Sequence, residues 1–253
     1  MDGVRKRGLC SVTFRNCTAE RVILLARESG VERIEWGGDI HVPPGDLENA
    51  RRVARLTRAA GMDCVSYGSY YQCDDTRNFI AVSETAEALE AKTIRVWAGK
   101  KDYEDLTETE KQAFFENAAT CAEIAREKGQ TIAFEFHHHT FCNRADHVLE
   151  ALESIAKENV KTYWQPDYWT SFSDDYMRIR QNLNAITTLK DRIENFHFYR
   201  MDGYRRLPVS GSEEEWKLYV NELPLTATCF LEFVKDDSEQ QFREDMKVLE
   251  RLL

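Results

Sequence analysis

Four residues able to bind a metal ion or move a proton follow one another at regular intervals in the second half of this 253-residue chain: Glu135, Asp167, His197 and Glu232. Their separations are 32, 30 and 35 positions. Each lies in an apolar or aromatic run, as in Phe134-Glu135-Phe136, Trp164-Gln165-Pro166-Asp167, Phe196-His197-Phe198 and Leu231-Glu232-Phe233. An unpaired carboxylate is expensive to bury in such surroundings. Three carboxylates brought together with one imidazole would repel one another unless a cation lay between them. Oxygen-rich donors with a single histidine suit Mn²⁺ best, with Mg²⁺, Co²⁺ or Zn²⁺ as other divalent candidates. A lone member of this set would be read as a strand-end group paired with a nearby Arg or Lys; four at such intervals favour one shared site.

The run His137-His138-His139 invites a metal reading of its own. On a strand, however, neighbouring side chains point to opposite faces, so three in a row cannot reach one ion. Alternation groups Glu135 with His137, and with His139 if the strand continues, and sets His138 on the other face.

The elements that must position these residues are short β-rich runs at 8–14, 31–37, 62–68, 93–99, 131–137, 161–167, 193–199 and 228–234, alternating with amphipathic helical segments. Most begin about thirty residues apart, room for a strand, a helix and two loops. Eight such units predict an α/β fold, a (β/α)8 TIM barrel, in one domain spanning 1–253. In that fold chemistry sits at the C-terminal ends of the strands, where the four residues fall. Gly30, Gly61 and Gly129 close amphipathic runs in the manner of helix stops. Thr107 with Glu110 reads as a capping box. Ser212 reads as the cap of a helix whose first turn holds Glu213, Glu214 and Glu215. The longest break in the rhythm, 200–216, is a loop at the substrate end of the barrel, and His147 falls on the surface of a helix.

The net charge of −10 argues against a nucleic-acid surface. No apolar run reaches the roughly 18 residues of a membrane span. The opening MDGVRKRGLC has charge but no apolar stretch behind it, so no secretion signal is expected. Seven scattered cysteines with no C-x-x-C suit reduced thiols and a cytoplasmic location.

The Glu, Asp, His and Glu of the last four strands, with the segments IEWGGDIHVPPGD, YWQPDYW and LEFVKDDS, resemble the xylose isomerase-like TIM barrels, in particular the sugar-phosphate isomerase/epimerase group that includes the ketose 3-epimerases. The resemblance spans nearly the whole chain. It implies that Glu135, Asp167, His197 and Glu232 ligate a divalent metal. It also implies that Glu135 and Glu232 act as an acid–base pair, removing a proton alpha to a carbonyl through an enediolate and returning one. The implied substrate is a sugar or sugar phosphate, and family members are often dimers or tetramers. One departure concerns substrate: Thr170 stands where the 3-epimerases commonly carry a histidine three positions after the strand-6 Asp. The endonuclease IV relatives of this barrel carry further histidines on strands 3 and 4, which are absent from VSYGSYYQC and RVWAGKKD.

Candidate substrate contacts are His41, His137, Tyr67, Trp97, Arg206 and Lys235, with Arg205 beside Arg206 as a possible phosphate clamp. Each has a plainer alternative: a loop-surface histidine for His41, packing for the two aromatic residues, solvated loop charge for the cations. Glu35 reads as a structural partner, with Arg95 as its counter-ion. A dehydratase of keto-cyclitols or keto-sugars shares the first proton removal and is the competing enzyme reading. A barrel that only binds sugar is a third, opposed by the paired Glu135 and Glu232.

Overall fold

In the computed structural model, which describes residues 5–253, eight parallel strands close into a barrel. They are β1 Arg7–Cys10, β2 Arg33–Gly37, β3 Asp63–Gly68, β4 Thr93–Val96, β5 Thr131–Glu135, β6 Val160–Trp164, β7 Ile193–Phe198 and β8 Thr228–Leu231. Each pairs with its neighbour in sequence, and β1 pairs with β8 to close the ring. Among the described residues, eight α-helices follow, one after each barrel strand: α1 Ala19–Glu28, α2 Leu47–Ala59, α3 Thr76–Ala88, α4 Glu108–Glu127, α5 Ala145–Ile155, α6 Asp175–Leu189, α7 Glu213–Glu222 and α8 Glu239–Leu252. No helix among them is long and apolar enough to cross a membrane. The N-terminal stretch read for a secretion signal begins outside the described residues.

Local chemistry sets most of the boundaries. Gly30, Gly61 and Gly129 take φ of +70°, +81° and +63° just past α1, α2 and α4, a conformation that ends a helix cheaply only at glycine. The Thr107–Glu110 capping box opens α4. Ser212 does not cap α7: its hydroxyl turns back to the Val209 carbonyl at 3.0 Å, because a 3-10 turn, Val209–Ser212, runs directly into the helix. His147 is buried rather than on the surface, stacked on Tyr103 at 3.7 Å and bonded through Nδ1 to Asn143 at 2.7 Å.

The strands are shorter than the β-rich runs. β1 stops at Cys10, where Ser11–Phe14 coils into a 3-10 turn, and β6 stops at Trp164, before Pro166. Inside the barrel, Cys10, Val12, Ala133, Tyr163 and Phe230 form an apolar plug. Gly8 makes room for it, since a Cβ there would lie 2.3 Å from the Phe230 ring. Above the plug, at the C-terminal ends of the strands, the lining turns polar.

The loop after β7 begins with a two-residue antiparallel ribbon, Met201–Asp202 against Arg205–Arg206. Its far end is tied to α8 through Asp245, whose Oδ1 accepts from the Val209 N–H and from Gln241 Nε2, both at 3.0 Å. Asp245 is fully buried, and burial pushes its carboxyl up to about 6. Because the folded carboxyl binds its proton more tightly than the unfolded one, stability is lost as pH rises from about 4 to about 6, and the full penalty holds above that. Asp245→Asn keeps an oxygen for both donors and removes the charge. The variant is therefore expected to unfold at a higher temperature than wild type at about pH 8, with the difference fading by about pH 4. Thermal melts at both pH values check this; a variant less stable at the higher pH would refute it.

Candidate active site

Alternation along the strands delivers a ring of buried polar side chains to the barrel mouth: Glu35 from β2, Ser66 from β3, Arg95 from β4, Glu135 from β5, His197 from β7, with Gln165 and Glu232 just past β6 and β8. A continuous hydrogen-bond network joins them across the interior. Asn195 Nδ2 donates to Tyr163 Oη at 2.9 Å, Tyr163 to Ser66 Oγ at 2.6 Å, and Ser66 to Glu35 Oε2 at 2.8 Å. Arg95 Nε donates to Glu35 Oε1 at 2.8 Å, and its terminal nitrogen donates to Glu135 Oε2. Trp97 Nε1 donates to that same Glu135 oxygen at 2.6 Å. Glu135 Oε1 is thus left facing His197.

His197 is the hub. Its Nδ1 lies 2.9 Å from Gln165 Oε1, 3.2 Å from Glu232 Oε2 and 3.6 Å from Glu135 Oε1. Its Nε2 is buried with no hydrogen-bond partner, 3.8 Å from Glu35 Oε1. Burial disfavours every charge here, and the neighbours decide the outcome. At Glu35 and Glu135 burial is overridden chiefly by the Arg95 guanidinium, and both carboxyls are held below the ordinary range. At Glu232 burial prevails, Glu135's charge adds to it, and the carboxyl is raised. At His197 burial is outweighed, first by Glu232, and the proton affinity of the imidazole is raised. Two glutamates of one site are thereby driven in opposite directions.

A cleft of about 230 Å³ opens onto this ring. Its floor holds Glu135, Gln165 and Glu232, and its walls are Trp97, His137, Trp169, Tyr199 and Phe233. Phe233 and Tyr70, both in the lining, have φ of +59° and +57°. Bulky residues take this left-handed conformation only where their surroundings enforce it, and such strain concentrates at functional sites.

The residues singled out from sequence divide accordingly. Glu135, His197 and Glu232 come together, and His137 and Trp97 line the cleft above them. Asp167 is not brought to the group. It lies three residues beyond the end of β6, and its Oδ1 accepts from the Trp169 and Thr170 N–H groups at 2.9 Å each, closing a local turn after Pro166. Gln165, two residues earlier, is the β6 side chain that reaches His197. Tyr67 is buried with its hydroxyl on the Val42 carbonyl at 2.8 Å, and His41 is bonded to Ser11 Oγ at 2.9 Å and to the Cys17 carbonyl at 3.2 Å. Neither lines the cleft. Arg206 is paired with Asp237 and lies 4.0 Å over the Phe233 ring, Arg205 is paired with Asp202 at 2.6 Å, and Lys235 approaches Asp236 at 3.9 Å. Each of the three cations thus has a carboxylate partner of its own. Sequence reading missed Gln165, Trp169, Tyr199 and Arg15, a cation at the rim that donates to Asp39 and, at 3.0 Å, to Tyr70. For Gln165 a signal existed: it shares strand parity with the interior Tyr163.

A family model described as xylose isomerase-like TIM barrel matches residues 23–252. The chain belongs to that family. A 3-dehydroshikimate dehydratase of Bacillus anthracis is 22% identical over 207 residues, covering 76% of this chain and 71% of that protein. Among solved structures, a probable 3-DHS dehydratase of Bacillus anthracis involved in petrobactin synthesis superposes with a TM-score of 0.79 at 18% identity, over 97% of this chain and 98% of that one. A D-psicose 3-epimerase from Clostridium cellulolyticum H10, solved with D-tagatose, gives 0.69 at 13% identity over 98% of both chains. Likeness to solved structures at these identities shows the barrel fold; the activities named belong to those proteins.

The donors suit the divalent ion that the family implies. Ligand atoms of Glu135, His197 and Glu232 all lie within 4.8 Å of one another, with the Gln165 amide oxygen beside them. A second group, Cys10, Glu35 and His197, is less suitable, because burial first, then the charges of Glu35 and Glu232, keep the Cys10 thiol protonated. On the first group, Glu35 faces the imidazole from its Nε2 side at 3.8 Å, an acidic neighbour behind a ligating histidine. Titration calorimetry with Mn²⁺ is expected to show Asp167→Ala binding within about twofold of wild type, and Gln165→Ala weakened by about 10–100-fold. Equal losses in both variants would contradict this placement.

Proposed function

We propose that the chain is a divalent-metal-dependent isomerase or epimerase that removes a proton alpha to the carbonyl of a sugar or sugar phosphate and returns one, with Glu135 and Glu232 as the proton-transfer pair. The observation that carries this reading is the convergence of the two buried glutamates beside His197 on the floor of one small cleft. Arg95 and Trp97 hold Glu135 as an anion with Oε1 turned to the cleft, so it starts as the base. Burial raises the proton affinity of Glu232 while that of Glu135 is lowered, so of the two Glu232 is the one suited to return the proton. Environments that separate the proton affinities of two such groups assign them these opposite roles. Aromatic walls exclude water and offer ring faces to the C–H face of a sugar. A divalent ion, held by Glu135, Gln165, His197 and Glu232, would supply positive charge against the oxyanion that develops as the proton leaves.

Dehydration is the second reading, favoured by the 3-dehydroshikimate dehydratase relative. Its first proton transfer is the same. The Glu232 proton would then go to a departing β-hydroxyl, which leaves with its bonding electrons as water while the double bond forms. Chromatographic separation of products with mass detection distinguishes the two across ketoses, their phosphates, inososes and 3-dehydroshikimate. An isomeric product of unchanged mass supports the first reading and loss of water the second. No product from any of them, with binding retained, would overturn both and leave a barrel that only binds.

A further inference from the structure

A second cleft of about 250 Å³, similar in size to the first, adjoins it and shares His137 and Trp169 as a common wall. Aromatic rings lead from one to the other: Trp97 stacks on His137 at 5.1 Å, His137 on His138 at 4.3 Å, and His138 meets Trp169 at 4.6 Å. The outer cleft is completed by Phe136, His139, Asn143, Asp167, Thr170 and Tyr204. The two turn bonds to Asp167 Oδ1 fix its carboxylate, and among the described residues no hydrogen bond engages its Oδ2. His138 Nδ1 is buried without a partner. No Lys or Arg lines this cleft.

From this geometry we infer that the substrate carries a second hydroxylated ring, a glycosyl unit, which occupies the outer cleft while the carbonyl-bearing ring lies over Glu135 and Glu232. Flat ring faces take the apolar face of a sugar, and a fixed carboxylate oxygen accepts from its hydroxyls. A phosphate would meet the Asp167 charge with no Lys or Arg in the lining to offset it, so the outer cleft favours a neutral polyol. Two clefts of like volume joined by a shared wall match two rings of like size. The assignment gives Asp167 a role in recognising the distal sugar. It rests on the proton-transfer reading for the inner cleft only.

Calorimetry in the presence of Mn²⁺ compares D-fructose with its glucosyl derivatives turanose, maltulose, leucrose and isomaltulose. At least one disaccharide is expected to bind about tenfold more tightly than fructose, the gain of a stacked face and one or two hydrogen bonds. In Asp167→Asn, which keeps the turn acceptor but replaces the free anionic oxygen, and in Tyr204→Ala, on an exposed turn, the affinity ratio is expected to fall to near one. The inference is overturned if no disaccharide binds more tightly than fructose, or if the ratio survives both substitutions. Failure of the proton-transfer reading looks different: the affinity ratio is present, but no deuterium enters any bound ketose in D₂O.

Discussion

Glu232→Gln is expected to lower turnover by roughly 10²–10⁴-fold, the range for loss of a general acid–base group, while the fold is retained. The size of the effect follows from the environment. Burial raises the proton affinity of Glu232, which suits it to deliver the proton that the reaction needs, and an amide of the same shape can neither hold nor release one. The stability readout separates this from structural damage. Among the described residues Glu232's ion-pair contact is His197 Nδ1 at 3.2 Å, a distance an amide oxygen in the same place can keep. A neutral amide removes a buried group that resists ionisation, so the melting temperature is expected to hold or rise. Turnover and thermal melts on one preparation check the pair of outcomes; activity retained within about tenfold would remove Glu232 from the proton-transfer role.

Arg95→Met is expected to destabilise the fold by about 3–5 kcal/mol, because it leaves Glu35 and Glu135 facing each other's charge with their shared counter-ion gone. All three groups are almost fully buried, so water cannot replace the guanidinium. For a chain of this size the loss corresponds to a fall in melting temperature of roughly 6–20 °C. Adding Glu35→Gln removes one of the stranded charges and is expected to recover part of the loss, a non-additivity proper to groups in one network. Denaturant unfolding of the single and double variants measures both; a single-variant loss under about 1 kcal/mol would show that the carboxyls find another partner.

The barrel was legible because its evidence is redundant: eight β-rich runs, helix-stopping glycines and a capping box repeat one message, and an error in any one of them changes little. The site was legible where strand parity holds to the end of the strand. Glu135, His197 and Glu232 all lie within or one step beyond their strands, and all turn inward. Asp167 has the parity of Gln165 and Tyr163 but lies beyond Pro166, where the chain has left the sheet and the carboxylate closes its own turn. A strand drawn through 167 therefore carried the inward assignment two residues too far and passed over Gln165. Arg95 was read as the partner of Glu35; its second bond, to Glu135, depends on how closely β4 and β5 bring those side chains together across the barrel, a tertiary distance that spacing along the chain does not contain. His41 and Tyr67 have the residue types of sugar contacts, yet their polar atoms are satisfied by backbone and by Ser11 beneath the rim.

The most direct measurement is mass spectrometry of candidate ketoses, their phosphates and glucosyl ketoses, recovered after incubation in D₂O with the Mn²⁺-loaded protein. Proton transfer between Glu135 and Glu232 predicts a single deuterium at the carbon next to the carbonyl of at least one compound, abolished in Glu135→Gln and in Glu232→Gln. A ligand that binds at the cleft and returns with every carbon-bound proton in place would contradict the account.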